Sequence, residues 1–215
     1  MYTFENWLVT KNMNLRDDHI HLLAKIETEW NRAEADIKTA EHVVANIVIP
    51  SVKELRYAGR RLVEALHLIN TTPEDARTIT SLLDDACFNC YRARHDAVDA
   101  TTAKIALDID TMVSKLGYDS ILPAFPSFPK LFRELQSVRA KIVESRGRRE
   151  DREAIYSVLE SIDFPALVNS FNEMRASEDM MKALAKKSRR SEFFGRWALY
   201  IGIASLIIAV ALRIF

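Results

Sequence analysis

Glycine and proline are scarce in this chain, five and six among 215 residues, and cysteine is scarcer still, at two. Few breakers mean long elements. The shortage argues against a β-sandwich, a Rossmann unit with its glycine loops, a collagen-like chain or a disordered linker protein. Cys87 and Cys90 cannot staple a body of this size, so disulfide scaffolding is excluded and a reducing, cytosolic setting is expected. Their C-x-x-C also lacks the second ligand pair that a zinc site needs. It falls in mid-helix rather than at a strand-to-helix turn, and is read as buried packing. No P-loop, Gly-x-Ser-x-Gly, paired metal carboxylates or dinucleotide fingerprint is present, and no catalytic residue, metal ligand or cofactor is assigned. Strand signals and repeats of 20 to 50 residues are missing too.

Net charge is also absent, with 30 basic and 30 acidic side chains, but the balance is uneven along the chain. Between residues 182 and 196, Lys182, Lys186, Lys187, Arg189, Arg190 and Arg196 face only Glu192, a net of +5. With Arg213 added, residues 1–181 carry −6, an acidic body that would repel a long duplex. The basic run is followed by sixteen uncharged residues, Trp197 to Leu212, flanked by Phe193, Phe194, Ile214 and Phe215. At 1.5 Å per residue, 193–215 reach about 34 Å, enough for a hydrocarbon core of about 30 Å if Arg196 and Arg213 snorkel. A single C-terminal transmembrane helix is expected. The positive-inside rule keeps Lys186 to Arg190 and the body before them in the cytosol, at the inner membrane. Met1 to Asn14 carries Glu5 where a signal peptide needs cations, and has no long apolar run.

The body is expected to be an all-α bundle of long helices. After an aromatic arm (Tyr2, Phe4, Trp7, Leu8), Asn14 can cap a helix with a 3,4 seam at Leu23, Ile26, Trp30, Ala33, Ile37, Ala40, Val44 and Ile47, ended by Pro50. Ser51 restarts a helix whose seam is Val52, Leu55, Gly59, Leu62, Leu66 and Ile69, with Gly59 permitting close approach. Thr72-Pro73 reads as cap and first helical residue of a helix of about 44 residues, on the order of 65 Å, running to Gly117. Its middle seam is small: Ala86, Cys90, Ala93, Ala97, Ala100. Tyr118 to Pro129, with three prolines, reads as a non-helical connection. A short helix at 152–162, with Asp163 capping the next, leads toward the tail. The expected divisions are an N-terminal arm 1–14, a long-helix bundle 15–117, a Pro-rich connection 118–129, C-terminal helices of the body with a basic juxtamembrane segment 130–192, and the membrane helix 193–215.

On the second helix, Lys53, Arg56, Tyr57, Arg60, Glu64 and His67 share a third of the circumference, opposite the apolar seam. A cationic stripe with one aromatic suits an anion or a nucleotide phosphate. Arg92, His95, Asp96 and Asp99 share a face of the third helix, and if the faces met, Arg56, Arg60, Arg92 and His95 would line one cavity. Lys53, Arg56, Tyr57, Arg60, Arg92 and His95 are therefore the expected ligand-binding set. The alternative is solvated faces and interhelical salt bridges. In the tail, Gly195, Ala198, Gly202, Ser205 and Ala209 form a small-residue stripe that lets membrane helices associate, as a narrow pore or as a plain anchor.

Pro50 to Arg60 (PSVKELRYAGR) and Cys90 to Ala97 (CYRARHDA) resemble segments of small helical HEPN-like proteins of bacterial mobile and defence loci. With a C-terminal membrane helix, the plan is similar to the membrane effectors of anti-phage systems such as Hailong, where a nucleotidyltransferase makes an oligonucleotide ligand. The resemblance implies a homo-oligomeric membrane effector whose cytoplasmic domain senses a nucleotide or short single-stranded oligonucleotide and gates leakage through the tail. Its partners would be further copies of itself, membrane lipid and a nucleotide-synthesising enzyme encoded beside it. Two other readings stand: a non-conducting tail-anchored scaffold for partner proteins, and a membrane-tethered HEPN-like ribonuclease, for which Arg61/His67 and Arg16/His21 fit the R-x(4 to 6)-H spacing.

Overall fold

The computed structural model of the chain describes residues 15–148 and 150–214, apart from the side chains of 191–196, 199 and 204–214. The expected aromatic arm and the Asn14 cap lie outside the described residues, as do the side chains of Gly195, Ser205 and Ala209. Among the described residues the chain is all-α, with no strand. In order the helices are α1 (Asp17–Val44), α2 (Ile49–Thr71), α3 (Ala76–Leu116), α4 (Tyr118–Ala124), α5 (Phe128–Gly147), α6 (Arg152–Val158), a π turn (Leu159–Asp163), α7 (Phe164–Ala176) and α8 (Glu178–Ile214).

Two compact units divide the chain: Met1–Ile105 with Arg139–Phe164, and Ala106–Val138 with Pro165–Phe215. In the first, α1, α2 and α3 share a core of Leu23, Ile26, Ala65, Ile69, Ile79 and Leu83, closed by Ala86 and Cys87. A second cluster, Ala33, Ile37, Ala40, Val48, Ala93 and Ala97, extends along α1 and α3. The small-residue seam of α3 behaves as expected: Ala86, Cys90, Ala93 and Ala97 are fully buried, so the neighbouring backbones lie close. In the second unit α4 packs on α8. Phe128 is bracketed there by Tyr118 edge-on at 5.9 Å and by Phe132 stacked at 6.4 Å.

Several boundaries differ from the sequence reading, each for a local reason. Helix α1 stops at Val44 because Ala45 turns left-handed, at φ 56°. Pro50 therefore does not end it; it sits in the first turn of α2, where the missing N–H costs nothing. Thr72 is not a cap. Thr72 to Asp75 form a turn around Pro73, closed by the Asp75 amide on the Thr72 carbonyl at 3.0 Å. Asp75 is the cap of α3, its Oδ1 accepting the Thr78 amide. The Pro-rich connection contains a helix, α4, entered through Gly117 at φ 75°. Asp163 does not cap either; it holds Lys141. The π turn ahead of Pro165 carries the helix past a residue that can make no i−4 bond, the Phe164 amide reaching back to Leu159.

The buried faces are also rolled relative to the expected seams. On α1, Glu29 and Val43 are buried, while Trp30 is half-exposed with its indole donating to Glu34, and Ile47 is exposed. On α2 the most buried line is Ser51, Glu54, Ala58, Ala65 and Ile69; Leu55, Gly59, Leu62 and Leu66 flank it and Val52 is exposed. The closest approach between helices selects the smallest side chains, whereas hydropathy marks their larger neighbours. Gly59 is not one of the tight positions, since a Cβ there would meet only the Trp30 ring at 3.5 Å, an ordinary contact. Gly59→Ala is accordingly expected to stabilise the protein by about 0.5–1 kcal/mol through helix propensity alone, read as a rise in the urea midpoint; a loss of stability would show that the Trp30 contact is already strained.

Candidate functional site

The α2 residues of the expected set lie at the surface. Lys53, Arg56, Tyr57, Arg60 and His67 are exposed on one face. Lys53 Nζ lies 5.6 Å and the Arg56 guanidinium 5.4 Å from the centre of the Tyr57 ring, within reach of cation–π attraction along one helix. Arg60 and Arg61 both donate to Glu64, at 3.0 and 2.8 Å, and hold its carboxyl below the usual range. Tyr57, Arg60, Arg61 and Asn89 line a shallow cavity of about 340 Å³. Lys53 and Arg56 border a separate one of about 280 Å³ with Ile47, Ile49 and Val52. Arg61 was not in the expected set, although its place one residue after Arg60 was a visible signal.

The two helix-three members are engaged elsewhere. Arg92 is half-exposed and paired at 3.1 Å with Glu54, a buried carboxylate of α2. His95 is buried and stacked on Tyr156, ring centres 3.7 Å apart, so it does not share a cavity with Arg56 and Arg60. Asp99 accepts from both Tyr156 and Arg146, at 2.7 and 2.9 Å. The R-x-H candidates are likewise occupied on the arginine side: Arg61 pairs with Glu64 and Asp85, and Arg16 with Asp18. Cys87 and Cys90 are free, buried thiols, and burial pushes Cys90 up to about 12, far from a reactive thiolate. Among the described residues no group of His, Cys, Asp and Glu is placed to hold a metal ion.

Sequence reasoning missed the most charged locus of the first unit. Arg94, 1% exposed, reaches four carboxylates: Glu29 and Asp36 of α1, Glu153 of α6 and Glu160 of the π turn. Its guanidinium donates to Glu29, to Glu153 at 3.2 Å and to Glu160. Arg32, paired with Glu29 at 3.1 Å, adds a second cation at the rim. Carboxylates outnumber cations, and burial raises Asp36 from 3.8 to about 6 against the opposing pull of Arg94 and Arg32. Burial lowers His95 beside the network, against the Glu153 carboxylate 3.3 Å from its Nε2. The chemistry is that of a registry device joining three segments.

Removing the central cation strands several carboxylates, so Arg94→Leu is expected to cost about 3–5 kcal/mol, measured by urea unfolding; a loss under 1 kcal/mol would show the cluster to be dispensable. The pH dependence has a definite sign. An Asp36 raised to about 6 keeps its proton in the folded state after the unfolded chain has lost it, so its stabilisation is present below about pH 4 and lost as pH rises through 6. The lowered His95 acts oppositely, stabilising fully above its ordinary 6.5 and losing that contribution on acidification. Asp36→Asn should therefore be more stable than the parent at pH 7, on the order of 1–3 kcal/mol, with the difference vanishing below pH 4. Equal stabilities at pH 7 would mean that Asp36 is fully solvated.

The described residues include no helix long and apolar enough to cross a membrane, and most side chains of the expected membrane segment lie outside them. Of its small-residue stripe, Ala198 and Gly202 are exposed, and a Cβ at Gly202 would meet nothing within 4 Å. Comparison of the chain with protein-family models, with curated proteins and with solved structures returned no match.

Proposed function

We propose that the chain is a single-pass, tail-anchored membrane effector of bacterial anti-phage defence, acting as a homo-oligomer with its helical body in the cytosol. The observation that carries the reading is α8: one uninterrupted helix from Glu178 to Ile214 joins the basic stretch to the sixteen-residue uncharged run. A rigid rod of this kind passes a change of packing in the body directly to the tail. As a helix, 193–215 would reach about 34 Å, enough for a hydrocarbon core of about 30 Å if Arg196 and Arg213 snorkel, and the basic turns before it favour a cytosolic body.

In this reading the sensor is the exposed α2 stripe, Lys53, Arg56, Tyr57 and Arg60, with Arg61 beside them. A nucleotide or short single-stranded oligonucleotide would place phosphates on the cations and a base on Tyr57. A few convergent cations suffice for a short ligand even on an acidic body, and a symmetric oligomer multiplies them. Ligand that prefers one packing of the bundle shifts the population toward it and so acts on the tail.

A second reading has its own support. Ile47, Ile49, Val52 and Val63 are exposed on and just before α2, which suits a non-conducting tether that docks partner proteins by the same helix. The test uses full-length protein. Arg56→Glu with Arg60→Glu is expected to weaken binding of a labelled short oligonucleotide at least tenfold by fluorescence anisotropy, leaving membrane fractionation and cross-linked oligomer size unchanged. Deleting 193–215 should abolish both membrane retention and loss of membrane potential on expression. Unchanged anisotropy removes the sensor, and toxicity that survives the deletion removes the effector.

A further inference from the structure

The second unit holds a concentration of positive charge that the proposed sensor does not use. The end of α3 and the first half of α8 border an open cavity of about 710 Å³, lined by Ser114, Lys115, Lys182, Lys186, Arg189 and Arg190, with Leu116 and Ala185 as its apolar wall. Five of these eight side chains are cations and none is a carboxylate. Lys182, Lys186, Arg189 and Arg190 recur at spacings of four, three and one, which keeps them on neighbouring sides of α8. Ala185, buried between them, seats that face of the helix against its own unit.

The geometry is built rather than incidental. Arg189 donates to the carbonyl of Lys115 at 2.8 Å, in the last turn of α3. A guanidinium is favoured there, because carbonyls without helical partners carry the negative end of the helix dipole. That bond uses one of the five N–H groups of Arg189 and fixes the fork at the cavity. Lys182 is held by Glu178 at 2.8 Å, a carboxylate that lines the adjoining cavity of about 410 Å³ instead. Gathering five like charges around one concavity raises its potential and favours a multivalent anion over single counterions. Arginine forks and lysine point charges together are the donor set that phosphate oxygens take.

We propose that this cavity is a phosphate-binding site, taking a phosphate-bearing anion of at least two negative charges or an array of anionic phosphodiesters. Two sources share that chemistry. One is a soluble polyphosphate; the other is the headgroups of anionic lipid, since Arg190 precedes Trp197 by seven residues, about 10 Å along α8. Only the lipid source rests on the tail-anchor reading, and neither rests on the α2 sensor.

The test takes full-length protein in neutral maltoside micelles. One arm titrates inorganic tripolyphosphate by calorimetry; the other measures the thermal shift on adding phosphatidylglycerol against phosphatidylcholine. The variant Lys186→Gln with Arg190→Gln spares the Arg189 bond to α3 and the Lys182 pair. It is compared with Arg133→Gln and Arg139→Gln, exposed cations of α5 that remove the same charge elsewhere. Tripolyphosphate affinity, or the phosphatidylglycerol shift, should fall on the order of tenfold in the first pair and stay within twofold in the second. A response to tripolyphosphate alone identifies the soluble source, and a response to phosphatidylglycerol alone the lipid. No response in either arm, or equal losses in both pairs, overturns the site. Protein recovered outside membranes that still binds tripolyphosphate through Lys186 and Arg190 would sink the anchor and leave this site standing, whereas loss at Arg56 and Arg60 bears only on the sensor.

Discussion

A single guanidinium organises the first unit. Arg94 sits among the small buried side chains of α3, Cys90, Ala93 and Ala97, and that smallness lets Glu29 and Asp36 of α1 reach it. The same closeness admits Glu153 and Glu160 from segments some sixty residues on. Nonpolar contacts between smooth alanine faces resist sliding poorly, because one register buries about as much as the next. Carboxylates that must find one buried cation make the registers unequal, which is the best-attested use of buried charge. Rolling α1 by one residue would deprive Arg94, in its low-dielectric site, of Glu29 and Asp36.

This constraint explains where the sequence was legible and where it was not. All-α architecture, the length of α3 and its small seam followed from breaker scarcity and spacing, because both act through the local chain. The roll of α1 did not, since hydropathy nominates Trp30 over Glu29, and only a partner 65 residues away reverses that choice. The same limit applies to His95. Its face assignment with Arg92 assumed one packed side to α3, whereas the helix is covered on a second side by the segment carrying Glu153 and Tyr156. Lys53, Arg56 and Arg60, by contrast, lie exposed where the helical period places them.

Capping shows the opposite failure, in which several local signals compete. Thr72-Pro73 and Asp75 are both good starts, and the chain uses the first for a turn and the second for the cap. Pro50 is expected to end a helix and Pro123 falls in a stretch expected to be non-helical, yet the first sits in an opening helical turn and the second within the seven residues of α4, while Pro165 follows a π turn. Proline scarcity says much about element length, and single prolines much less about element ends. The basic cavity was invisible for a related reason. The run from Lys182 was read for its charge sign toward a bilayer, while its partner on α3, Lys115, lies 67 residues earlier and carries no motif.

Helix α3, at 41 residues, belongs to both units, with the boundary at Ile105 falling inside it and no loop to absorb error. One residue inserted near Ala100 would turn Ile105 by about 100° about the helix axis relative to Ala86 and Ala97, while seven would return it to within about 20°. Within the first unit the length of this helix is thus quantised: between Ala86 and Ile105 it can change only in whole heptads, whereas the turn at 125–127 in the second unit already interrupts the helical path.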